Sequence, residues 1–63
     1  MVERYKYEYH GWQLTVYTNG TIQVTRKGES RVYELGEMYI RIEQKREYVY
    51  LYILDGGFIQ VKF

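Results

Sequence analysis

The chain has 63 residues, nine lysines and arginines against eight aspartates and glutamates, and neither cysteine nor proline. That length allows one small domain whose buried surface only just offsets the ordering of the chain, and without cysteine there is neither a disulfide framework nor a thiolate metal site. The near-neutral charge supplies no global field to draw in nucleic acid or an anionic membrane.

The composition is rich in Tyr, Val, Ile and Thr, lacks alanine, and shows no helical period, so an all-β fold is expected. No apolar run approaches the roughly 20 residues of a membrane-spanning helix, and the start Met-Val-Glu-Arg-Tyr-Lys lacks the apolar stretch of a signal peptide. A soluble, cytoplasmic protein is the expectation.

Tyr5, Tyr7 and Tyr9 alternate with Lys6, Glu8 and His10, which predicts a first strand from about Val2 to Tyr9 with its tyrosines turned inward. A two-residue turn at His10-Gly11 then sets Tyr9 beside Trp12, Tyr7 beside Leu14 and Tyr5 beside Val16. For the next turn, a two-residue Asn19-Gly20 loop would mix polar and apolar faces, because a one-residue slip exchanges them. A three-residue loop, Thr18-Asn19-Gly20 with Gly20 left-handed, sets Val16 beside Ile22 and Leu14 beside Val24. The other face of this hairpin, carrying Gln13, Thr15, Tyr17, Thr21, Gln23 and Thr25, reads as a solvated polar surface.

A third turn around Gly28 aligns Tyr33 with Val24 and Leu35 with Ile22. The inward positions then change parity: Tyr33 and Leu35 are odd, whereas Met38, Ile40 and Ile42 are even. The glycine at the break, Gly36, predicts a kink in one long fourth strand from about Arg31 to Glu43. A turn at Lys45-Arg46 places Ile42 beside Val49, Ile40 beside Leu51 and Met38 beside Ile53. The final turn, Asp55-Gly56-Gly57 with Gly57 at the bulge, places Ile53 beside Ile59, Leu51 beside Val61 and Val49 beside Phe63.

The result is a six-stranded antiparallel meander with one apolar face and no helix to cover it. It is expected to curl over its own core into a small barrel of SH3 or OB size. The expected core is Tyr7, Trp12, Leu14, Val16, Ile22, Val24, Ile40, Ile42, Val49, Leu51, Ile53, Ile59 and Val61.

Catalysis finds little to work with. The chain has one histidine, one serine and one aspartate, all placed in different turns, so a nucleophilic triad is not expected. Glu34, Glu37, Glu43 and Glu47 read as solvated charges and not as a convergent carboxylate pair. Gly56-Gly57 is followed by a strand and not by the helix that a phosphate loop needs. No enzyme, metal or cofactor is expected.

The informative stretch is Tyr48-Val-Tyr-Leu-Tyr-Ile-Leu54, where tyrosines alternate with aliphatic residues. Val49, Leu51 and Ile53 point into the core, so Tyr48, Tyr50 and Tyr52 point out. Around them the expected contact surface comprises Tyr39, Arg41, Tyr50, Tyr52, Leu54, Phe58 and Lys62, with Arg41, Tyr50 and Lys62 in one row and Tyr39, Tyr52 and Gln60 in the next. Tyrosine and arginine concentrate at binding hot spots, so a protein partner or self-association is the leading expectation. Stacking of single-stranded nucleic acid on the aromatic rings is the alternative. Two readings need no partner: cross-strand stabilisation alone, and a designed small barrel, since turn chemistry is followed closely.

Overall fold

The computed structural model describes residues 3–36 and 39–63. At the first turn His10 and Gly11 both have positive φ, 47° and 82°, the conformation whose twist matches that of antiparallel strands. β1 (Glu3–Tyr9) and β2 (Trp12–Tyr17) leave it with Tyr9 opposite Trp12, Tyr7 opposite Leu14 and Tyr5 opposite Val16, as the alternation of tyrosines predicts. Val2, the expected start of the strand, lies outside the described residues. Tyr5 is exposed instead of turned into the core, and the register is irregular just before it, between Glu3 and Tyr5.

The second turn is the three-residue one. Gly20 has φ 85°, its N–H donates to the Tyr17 carbonyl at 3.1 Å, and the Thr21 N–H donates to Asn19 Oδ1 at 3.1 Å. β3 (Thr21–Arg26) therefore sets Ile22 against Val16 and Val24 against Leu14, and all four are completely buried. The polar face behind them is less wet than the sequence implies. Thr15 and Thr21 are buried, and the Tyr17 hydroxyl donates to Gln23 Oε1 at 3.0 Å across it, because short threonines on inner strands are shaded by longer neighbours.

β4 (Glu29–Glu34) pairs with β3 after a two-residue turn, Lys27-Gly28, with Arg26 opposite Glu29. This places Tyr33 against Ile22 and Arg31 against Val24, two residues away from the expected register. The single long fourth strand is not formed. β4 ends at Glu34 and β5 (Tyr39–Lys45) starts a different sheet, with Leu35 and Gly36, the latter at φ 66°, outside both strands. Met38, expected beside Ile53, lies outside the described residues.

β5 pairs with β6 (Tyr48–Ile53) through the two-residue turn Arg46-Glu47, and β6 pairs with β7 (Phe58–Lys62). In place of six strands in a barrel there are, among the described residues, seven antiparallel strands in two sheets, ordered β1-β2-β3-β4 and β5-β6-β7. The apolar face is covered by a second sheet and not by coiling of the first, an alternative solution to the same burial problem. Leu14, Val16, Ile22 and Val24 from one sheet and Val49, Leu51, Val61 and Phe63 with Tyr39 from the other form one cluster, with Tyr7, Trp12, Ile42, Ile53 and Ile59 packed on it. Among the described residues no helix is long and apolar enough to cross a membrane.

The candidate binding face

β6 decides the site. Val49 and Leu51 are fully buried, and Tyr48, Tyr50 and Tyr52 lie half-buried on the opposite side of the strand. The neighbouring strands complete an outer face of three rows. Arg41, Tyr52 and Phe58 form one row, Glu43, Tyr50 and Gln60 the next, and Lys45, Tyr48 and Lys62 the third. Relative to the expected rows the partners of β6 have moved by two positions, except Tyr39, which has moved by one. A two-residue shift keeps each side chain on its face, so the composition of the surface survives while its pairs change.

Two expectations fail at one point. Tyr39 belongs to the core, at 4 % exposure, and Ile40, expected in the core, is 63 % exposed. The cause is an irregularity in β5: Tyr39 is opposite Ile53 but Arg41 is opposite Tyr52, so Ile40 is a bulge residue and the strand changes face there. The Tyr39 hydroxyl donates to the Gly20 carbonyl at 3.4 Å, its own carbonyl accepts from Arg4 Nη1 at 3.4 Å, and it has no place on the contact surface. Phe63, buried against Tyr9 with ring centroids 5.7 Å apart, is a core residue absent from the expected core, although its pairing on the inward side of the last strand signals it.

The remaining six residues share the surface with the tips beside it. The Arg41 guanidinium lies 4.1 Å from the centre of the Tyr52 ring. Phe58 touches both Tyr50 and Tyr52, with centroids 5.7 and 6.0 Å apart, and the Tyr50 hydroxyl accepts from Gln60 Nε2 at 2.9 Å. Lys45 Nζ is 5.5 Å from the Tyr50 ring and 3.1 Å from Glu43 Oε1. The hydrogen bond to Glu43, followed by its charge, raises the Lys45 pKa above 10.5. The raised value keeps the cation through the neutral range, and the contribution of this exposed, solvent-screened pair fades as pH rises past the ordinary lysine pKa. Arg41 reaches the same carboxylate at 4.0 Å. Among the described residues Lys62 has no ion pair. Phe58 is 58 % exposed, and Leu54, at the tip of the last turn, is 83 % exposed.

The last turn sets these two apolar groups. Gly56, not Gly57, takes the left-handed conformation, with φ 95°; its N–H donates to the Ile53 carbonyl at 3.2 Å and the Gly57 N–H to Asp55 Oδ1 at 3.3 Å. The loop is Leu54-Asp55-Gly56, the same hydrogen-bonded turn as Thr18-Asn19-Gly20, and Phe58 falls opposite Tyr52.

Away from this face the chemistry is thin. His10 sits at its hairpin tip with its ring edge-on to Tyr9 at 4.3 Å, Ser30 lies on β4, and among the described residues no three His, Asp or Glu converge to hold a metal ion. Searches against protein-family models, characterised proteins and solved structures find no match to this chain.

Proposed function

We propose that the protein is a non-catalytic binding module that takes a protein surface, either a partner's or that of a second copy, on the outer face of β5-β6-β7. The observation that carries this reading is the exposed Phe58 ring touching both Tyr50 and Tyr52, with the exposed Leu54 in the adjoining turn and Arg41 and Lys62 at the margins. Large apolar groups grouped with tyrosine and arginine have the character of a hot-spot cluster. Rings held by neighbouring rings and cations lose little side-chain freedom on contact, which favours affinity.

Single-stranded nucleic acid suits this face less well. Glu43 stands in its middle row beside Tyr50, where it repels phosphate, and Arg41 and Lys45 are both engaged with that carboxylate. Few cations remain to release counterions.

Sedimentation over a wide concentration range, with and without oligothymidine, tests the reading. The expected result is a heavier species at high concentration that the double substitution Tyr52→Thr, Phe58→Thr abolishes without loss of the β-sheet spectrum. A monomer throughout, with oligothymidine quenching the tyrosine emission, would transfer the face to nucleic acid. A monomer without quenching would remove both self-association and nucleic acid, leaving a foreign protein partner or cross-strand stabilisation alone.

A further inference from the structure

Four strands face three, so the sheets cannot match at both margins. On the β1/β5 side the margin is fastened: Arg4 Nη1 donates to the Tyr39 carbonyl at 3.4 Å and Gln44 Nε2 to the Glu8 carbonyl at 2.7 Å. On the β4/β7 side an open depression of about 240 Å³ remains, floored by Tyr33 of β4 and by Leu35 just after that strand, and walled by Ile59 and Val61 of β7.

The polar edge of β7 opens onto this depression. The Phe63 N–H donates to the Glu47 carbonyl at 2.8 Å and the Gly57 carbonyl accepts from Ile53 N–H at 3.0 Å, so odd-numbered residues bond to β6. In an antiparallel ladder the intervening residues turn the other way, which directs the backbone N–H and C=O of Phe58, Gln60 and Lys62 to the free side. The Lys62 carbonyl shows this directly, because it accepts from Arg31 Nη2 at 3.1 Å, and Arg31 comes from β4. Among the described residues no strand pairs with this edge.

We propose that the β7 margin is a strand-addition site for an extended segment of another protein that alternates apolar and polar residues and carries a carboxylate near its N-terminus. Running antiparallel to β7, the segment completes a fourth strand in the smaller sheet. Its apolar side chains cover Tyr33, Leu35, Ile59 and Val61, and its outward residues lie beside Phe58, Gln60 and Lys62. The carboxylate meets the ammonium of Lys62, which no acidic group on the described surface neutralises. A second copy joined through its own β7 brings its β4 to the same side of the extended sheet, against the β4 already projecting there, so a peptide segment and not a whole domain is the occupant. Arg31 acts as a latch: while it holds the Lys62 carbonyl it protects the edge from unwanted pairing, and the incoming strand replaces it. This site borders the tyrosine face and shares Phe58 and Lys62 with it, but it does not depend on the function proposed for that face.

The test is a titration of the isotope-labelled full chain with the peptide acetyl-Glu-Val-Thr-Ile-Thr-Val-amide, followed by amide shifts and hydrogen exchange. The amides of Phe58, Gln60 and Lys62 are expected to shift and gain protection, those of Glu43 and Tyr48 to stay in place. The same peptide N-methylated at its threonines is expected not to bind, and Arg31→Ala to tighten binding about three- to ten-fold, the worth of one exchanged hydrogen bond. No shift at millimolar peptide with either the unaltered chain or Arg31→Ala would overturn the proposal. Equal binding by the N-methylated peptide, shifts confined to the tyrosine face, or edge shifts produced by raising the protein concentration alone would also overturn it, the last in favour of a second copy.

Discussion

Tyr39 stands opposite Ile53 across β5 and β6, and this pairing, two residues from Arg41 opposite Tyr52, turns the tyrosine ring into the core and Ile40 out to solvent. The two neighbours are thus expected to respond to substitution in the order opposite to their hydrophobicity. Tyr39→Ala should lower the unfolding free energy by about 3 kcal/mol, as loss of a buried aromatic ring does, whereas Ile40→Thr should change it by less than about 0.5 kcal/mol. Urea denaturation of the two variants checks this, and a larger loss for Ile40→Thr would place the bulge elsewhere.

The two adjacent glycines of the last turn separate in the same way. Gly56 has φ 95°, so Gly56→Ala should cost about 1–2 kcal/mol through backbone strain alone. Gly57 is not in the left-handed region, and a Cβ there meets Ile53 Cδ1 at 3.4 Å, the far end of a side chain that can yield. Gly57→Ala should stay within about 0.5 kcal/mol of the parent. Thermal melts of both variants decide which glycine holds the turn.

Trp12 is flanked by two guanidinium groups, Arg26 at 4.4 Å and Arg31 at 5.2 Å from its ring. Arg26→Ala should remove about 0.5–1 kcal/mol of stability and shift the emission of Trp12, the one tryptophan in the chain. Fluorescence-detected unfolding reads both effects together, and an unaltered emission spectrum would show that the stacked cation is not held in solution.

Burial, with a smaller push from Tyr5, raises the Tyr7 pKa above 10.0. A raised phenol pKa means that the folded state keeps its proton where the unfolded state has lost it. Its share of stability is therefore whole below pH about 10 and falls as pH rises beyond that value. Unfolding midpoints measured at about pH 8 and pH 11 should differ less in Tyr7→Phe than in the parent; an equal difference would mean that the Tyr7 hydroxyl is solvated in the fold.

Much of this fold is legible in local chemistry. The alternation of Tyr48 to Ile53 and the turn residues His10-Gly11 and Thr18-Asn19-Gly20 determine which side chains share a face and how the first hairpins pair. The three later registers each differ from the expected one by two residues. Hydrophobic pattern cannot detect that shift, because a strand moved by two positions presents the same face. For the same reason Arg41, Tyr50, Tyr52, Phe58 and Lys62 emerge together on the outer surface although the rows expected for them were wrong.

Local alternation and turn chemistry account for the all-β character, the two-faced strands and the membership of most of the core. The tertiary structure alone decided that Ile40 bulges and so exchanges Tyr39 for itself, that Gly36 lies between strands and not within one, and that two sheets close over the core where a barrel was expected. Those outcomes depend on contacts between residues far apart in the chain: Arg4 with Tyr39, Tyr39 with Gly20, Arg31 with Lys62. Periodicity is a property of neighbours, and it carries no information about which distant surface will arrive to cover a face.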